Sequence, residues 1–131
     1  MTLQPHLTLQ AEKTLETLMG EVQGAVSAVL STVDGFAVAV KTDTEEQGAR
    51  VAAMASSISA ICSVVGEETE VGAHHSITIQ SENGYVVMVQ VAHAVLPMIL
   101  KLVANKTAVL GQMIYFARQA AKQLAEAALK C

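Results

Sequence analysis

Ala11, Leu15, Leu18, Met19 and Val22 fall at i, i+4, i+7, i+8 and i+11, the spacing that gathers apolar side chains on one face of a helix. Pro5 suits the first turn of that helix, where a missing N–H costs nothing, and Gly20 and Gly24 bracket its end. The period then changes. "GAVSAVLSTVDGFAVAVKT" holds two β-rich runs around Asp34-Gly35, a pair that favours a tight hairpin because glycine supplies a positive φ at little steric cost. Both runs are apolar or small at nearly every position, as expected of strands covered on both faces.

"KTDTEEQGAR" supplies the start of a second helix, with Asp43 or Thr44 as N-cap and Glu45 and Glu46 in the first turn, where the helix dipole favours negative charge. The helix that follows, "RVAAMASSISAICSVVGEE", is unusually poor in large polar side chains. With Ile58 at the centre of its buried face, Val51, Met54, Ala55, Ile61, Cys62 and Val65 become core positions at about 100° per residue. The opposite strip is then Ala49, Ala53, Ser56, Ala60 and Ser63, with Glu67 at its end. Such a strip lets a partner approach the backbone closely and loses little rotamer entropy on binding, where an immobilised Lys or Arg costs about 0.5 to 1.5 kcal/mol. Those six residues are the expected partner-binding surface.

"HHSITIQS" and "YVVMVQVA" flank "ENG" as a second hairpin around Asn83-Gly84, and "PMILKLVA" forms a fifth strand with Pro97 at its start. From about Thr107 a last helix sets Leu110, Met113, Ile114, Ala117, Ala121, Leu124 and Ala128 on one face, with Lys122 and Lys130 near its end. The element order α-β-β-α-β-β-β-α defines an α+β domain, a five-stranded antiparallel sheet with helices on both faces. The first and last helices are expected on one face and the middle helix on the other. One helix cannot cover five strands, so a second copy of the chain is the economical cover for the remainder.

Composition agrees with that expectation. The 131 residues, a single domain's worth, are 52% hydrophobic and only 15% charged. The net charge of -4, the absence of a basic run and the scarcity of aromatic residues argue against a nucleic-acid-binding surface. No uninterrupted apolar run reaches the length of a bilayer span, and "MTLQPHLTLQ" lacks the features of a secretory signal, so no membrane insertion and a cytoplasmic location are expected.

The segments "GAVSAVLSTVDGFAVAV", "HHSITIQSENGYVVMVQV" and "AVLGQMIYFARQAAKQLAEAA", with the Ala/Ser-rich helix between the first two, resemble the Roadblock/dynein-light-chain family in its bacterial form. The resemblance spans roughly residues 8 to 128 and rests on the order of elements and on Asp34-Gly35, Gly84 and Gly111. Val109 and Pro97 depart from the family pattern at the approach to the last helix. The resemblance implies a non-enzymatic homodimer that binds a Ras-like small GTPase, as the gliding-motility member does, or an adaptor subunit of a larger assembly. It also implies that the third strands of two subunits pair edge to edge with the middle helices side by side, which places Ala52, Ser59, His75, Ile77 and Ile79 at the dimer interface. A third possibility is a module that senses a small ligand in a cavity under the middle helix.

Little in the chain suggests chemistry of its own. Neither G-x-x-x-x-G-K-[ST] nor G-x-G-x-x-G occurs. Adjacent His74 and His75 would point to opposite sides of a strand, which suits one metal ion poorly, and His6 and His93 lie far away in sequence. No cofactor or metal is expected. Cys62, Met19, Met54, Met88, Met98 and Met113 read as core filling, Cys131 as a terminal thiol, and Arg50 and Arg118 as helical residues too regularly placed for insertion into a nucleotide site.

Overall fold

The computed structural model describes residues 5–42 and 45–127. The N-cap candidates Asp43 and Thr44, the side chains of His6, Glu45 and Glu46, and Ala128, Lys130 and Cys131 lie outside the described residues. The elements follow in the expected order: α1 (Pro5–Glu21), β1 (Ala25–Thr32), β2 (Ala37–Lys41), α2 (Glu45–Glu68), β3 (Ser76–Ser81), β4 (Gly84–Val91), β5 (Met98–Asn105) and α3 (Leu110–Ala125).

The strands form one antiparallel sheet in the order β2-β1-β5-β4-β3. In the first hairpin the Thr32 amide donates to the Phe36 carbonyl at 2.8 Å and the Gly35 amide to the Thr32 carbonyl at 3.0 Å. Gly35 takes a φ of +98°, so the glycine meets the conformational demand expected of it. The second hairpin turns one residue earlier than expected. Ser81 pairs with Gly84, leaving Glu82 and Asn83 as the turn. Gly84 opens β4 where it crosses β5, and a Cβ there would run into the Ala104 carbonyl oxygen. Pro97 stands immediately before β5, outside the ladder that its missing N–H would interrupt.

Helices α1 and α3 share one face of the sheet. Ala11, Leu15 and Leu18 from α1, Val22 just after it, and Met113, Ala117, Ala121 and Leu124 from α3 close over Leu30, Val87, Leu100 and Leu102. Each fully buried Leu or Met contributes about 1.5–3 kcal/mol, so this layer supplies most of the subunit's stability. Helix α3 begins at Leu110, later than expected, with Val109 making no side-chain cap. The turn before it is organised by Asn105, whose Oδ1 accepts from both the Thr107 amide and hydroxyl.

Helix α2 lies alone on the other face, against β1, β2 and β5. It connects one edge strand to the other, and its 24 residues extend roughly 36 Å at 1.5 Å each. Two small clusters hold it: Val51 and Ala52 with Val29 and Val40, and Ala55 and Ile58 with Met88, Ile99, Ile77 and Val86.

Candidate partner-binding surface

The face that α2 turns to the sheet differs from the one its large residues suggest. Ala52 and Ala55 are 0% and 2% exposed, whereas Met54, Ile61 and Val65, expected in the core, are 55%, 64% and 54% exposed. Ile58 and Cys62 are only partly buried. The helix is rotated by roughly a fifth of a turn toward its small side, because short side chains permit a close approach to the sheet. Gly48 shows how close that approach is, since a Cβ there would press on the Val40 side chain. Ala52 and Ser59, expected at the dimer interface, are instead buried within the subunit, at 0% and 9% exposure.

The small-residue strip is exposed at every position but one. Ala49, Ala53, Ala60, Ser63 and Glu67 are exposed, while Ser56 is partly buried and its hydroxyl donates to the Val33 carbonyl at 2.7 Å. That bond places the strip on the side of the β1–β2 turn, where Gly35 lies against Ala53 and Ser56. Beside it a cleft of about 600 Å³ opens between α2 and the β4–β5 connection, lined in part by Val33, Ala60, Ser63 and Pro97. Three polar groups line the same cleft: Gln90 Nε2 lies 2.8 Å from both Ser59 Oγ and His74 Nε2, and Ser59 Oγ and His74 Nε2 are 3.2 Å apart. This cluster ties α2, the segment before β3 and the end of β4 together. Gln90 carries no motif that would have marked it in the sequence.

The opposite flank of α2 carries the residues that composition and periodicity misassigned. Met54, Ile61, Val64 and Val65 are all more than half exposed. Ile58, between this flank and the sheet, packs against the cluster of Ala55, Met88 and Ile99 that Ile77 of β3 also touches. Among the described residues strand β3 pairs only with β4, which leaves the backbone donors and acceptors of its outer edge unpaired there. Ile77 is partly buried, Ile79 is 38% exposed, and both are on the α2 side, opposite Met88 and Val86. His75, at the entrance to β3, is exposed. The helix and the edge strand thus each leave apolar side chains open, Met54, Ile61, Val64 and Val65 on α2 and Ile79 on β3.

The same helix modifies the membrane expectation. Gly48–Glu68, with mean hydropathy 1.5, is long and apolar enough to cross a bilayer by length and composition. Its interrupting serines hid this from a search for unbroken apolar runs. Its packing through Val51, Ala52, Ala55 and Ser59 makes it a layer of the folded domain.

The histidines have separate roles. His74 and His75 sit before β3, and only His74 enters the polar cluster. His93 is buried; its Nδ1 accepts from the amides of Val95 and Leu96, which leaves Nε2–H to donate to the Ala127 carbonyl at 2.8 Å. Among the described residues no three His, Cys, Asp or Glu side chains gather as metal ligands. Arg50 and Arg118 are exposed helical residues. Lys101, on the central strand β5, is aligned between Val29 and Met88. Burial lowers the pKa of its ammonium below the usual 10.5.

A five-stranded antiparallel sheet with two helices behind it and one helix before it defines a layered α+β domain. The Roadblock/LC7 domain model matches residues 11–101, and the chain belongs to that family. Solved structures agree on the fold. The gliding protein MglB of Thermus thermophilus superposes with a TM-score of 0.83 at 21% identity, over 95% of this chain and 92% of that one. MglB of Myxococcus xanthus gives 0.83 at 10% identity, over 96% and 92%. A Roadblock/LC7 domain of Streptomyces avermitilis gives 0.78 at 18% identity, over 86% and 92%. No curated protein matches the sequence.

Proposed function

We propose that this protein is a cytoplasmic, non-enzymatic homodimer that binds a Ras-like small GTPase and biases its nucleotide state. The observation that carries the reading is the exposed apolar flank of α2, on the same face of the sheet as Ile77 and Ile79 of the edge strand β3. A single-domain chain rarely leaves such a patch uncovered. A second copy pairing along β3 would extend the sheet and set the two α2 helices side by side, with Met54, Ile61, Ile77 and Ile79 between subunits. Membership of the Roadblock/LC7 family supports a regulatory or adaptor role.

In this reading the small-residue strip, outside the seam, meets the GTPase. Ala49, Ala53, Ala60, Ser63 and Glu67 stay exposed beside the cleft, and the dimer presents two such strips. A surface that binds one switch conformation more tightly than the other shifts the GTPase population by that difference in affinity. The test is the Ala53→Arg/Ala60→Arg double variant, titrated with a purified Ras-like GTPase of the same genome, loaded in turn with GDP and with a non-hydrolysable GTP analogue. Wild-type protein should bind one form preferentially. The variant should keep its dimer and its circular dichroism and lose the binding. Equal affinity in wild type and variant refutes the strip as the contact, and a wild type that ignores every Ras-like GTPase offered favours an adaptor role.

A further inference from the structure

The polar side chains lining the cleft beside α2 have already committed their donors. Ser56 and Ser63 both line it, and each gives its hydroxyl hydrogen to a backbone carbonyl, that of Val33 at 2.7 Å and that of Ser59 at 3.1 Å. A hydroxyl so engaged meets a newcomer only through the lone pairs on its oxygen. Gln90 is engaged in the same way: its amide nitrogen lies 2.8 Å from both Ser59 Oγ and His74 Nε2, so its carbonyl oxygen is the group left to bind anything else. His93, the second imidazole of the lining, is held by backbone groups at both nitrogens. The side chains of the cleft are therefore an array of acceptors.

Charge points the same way. No Lys, Arg, Asp or Glu lines the cleft, but Asp34 follows Val33 at the Ser56 end and Glu67 lies one helical turn beyond Ser63 at the other, both exposed, in a chain of net charge -4. Val33, Ala60, Val91 and Pro97 add an apolar wall. We propose that this cleft is the socket for an arginine side chain of the protein that meets the α2 strip, its aliphatic stem against the wall and its guanidinium donating to the serine and glutamine oxygens. Five donors on one plane let an arginine serve several acceptors at once. An acidic side chain would find no free side-chain donor and two like charges. The inference rests on the reading that a protein partner contacts the strip, and adds to it the chemistry that partner must present.

Nuclear magnetic resonance of the isotope-labelled full chain tests the socket without any partner. The probes are N-acetylarginine amide and N-acetylcitrulline amide, which match in length and differ in charge. The arginine compound should shift the Gln90 side-chain amide and the backbone amides of Ser59, Ser63 and Ala92, saturating with a millimolar dissociation constant, and the citrulline compound should bind several-fold more weakly. Asp34→Asn/Glu67→Gln should weaken the arginine compound roughly threefold at low salt, a difference that shrinks as ionic strength rises, while resonances away from the cleft stay in place. Equal binding of the two compounds, or no shift with either, overturns the socket whatever the GTPase titration gives. Micromolar binding of the isolated arginine compound marks a site for a free small molecule and overturns the docking role. Preference for the arginine compound in a protein that binds no Ras-like GTPase sustains the socket and refutes the GTPase as its partner.

Discussion

Lys101 carries a charge that the fold disfavours. It lies on the central strand among apolar neighbours, and desolvation lowers its pKa from 10.5. The unfolded chain therefore holds this proton more tightly than the folded one. Its charge costs stability at all pH values below the lowered pKa, and the cost fades as pH rises from there toward 10.5. Thermal melts across the alkaline range should show wild type gaining on Lys101→Met as pH approaches 10.5, with the variant more stable near neutrality. A constant difference between the two across that range would contradict the desolvation account. Gly66 is constrained in another way: a Cβ there would collide with the Gly72 carbonyl oxygen, against which the end of α2 is folded. Some of these residue-scale features were legible in the sequence and some were not. Asp34-Gly35 announced its turn because positive φ is a local demand. Lys101 and Gln90 did not announce themselves, since only strand register shows what surrounds them.

At the scale of elements, legibility followed the contrast between faces. Helices α1 and α3 each bury one apolar stripe and expose a polar one, so period alone located their buried residues, from Leu15 and Leu18 to Met113 and Leu124. Helix α2 lacks that contrast. Its sheet-facing residues are mostly small, and its large residues lie on a flank the subunit leaves open, so placing Ile58 at the centre misassigned Met54, Ile61 and Val65. The assumption that failed was that the largest side chains mark the buried face. The flank's role can be read from its dependence on concentration. Wild-type melting temperature should rise with protein concentration, as for any fold stabilised by association. Ile61→Ser should abolish that rise while preserving the far-ultraviolet circular dichroism, because the subunit buries little of this side chain. A wild type whose melting is independent of concentration, or a variant that unfolds outright, would assign Ile61 to the subunit core instead.

For the whole molecule, the sequence yielded the order of elements, the two-faced sheet and the family, and the described structure agrees with each. It did not yield which side of α2 the proposed function gives to a second copy and which to another partner. Both sides are short of charge, and only the position of the helix over β1, β2 and β5 separates them. The proposed function assigns the Met54 and Ile61 flank with β3 to self-association, and the Ala53 and Ala60 strip with its adjoining cleft to a GTPase. Everything at this scale depends on the first assignment. Sedimentation equilibrium of the full chain at tens of micromolar measures it most directly. The account predicts a mass of twice 13.7 kDa; a single species at 13.7 kDa under those conditions would contradict it.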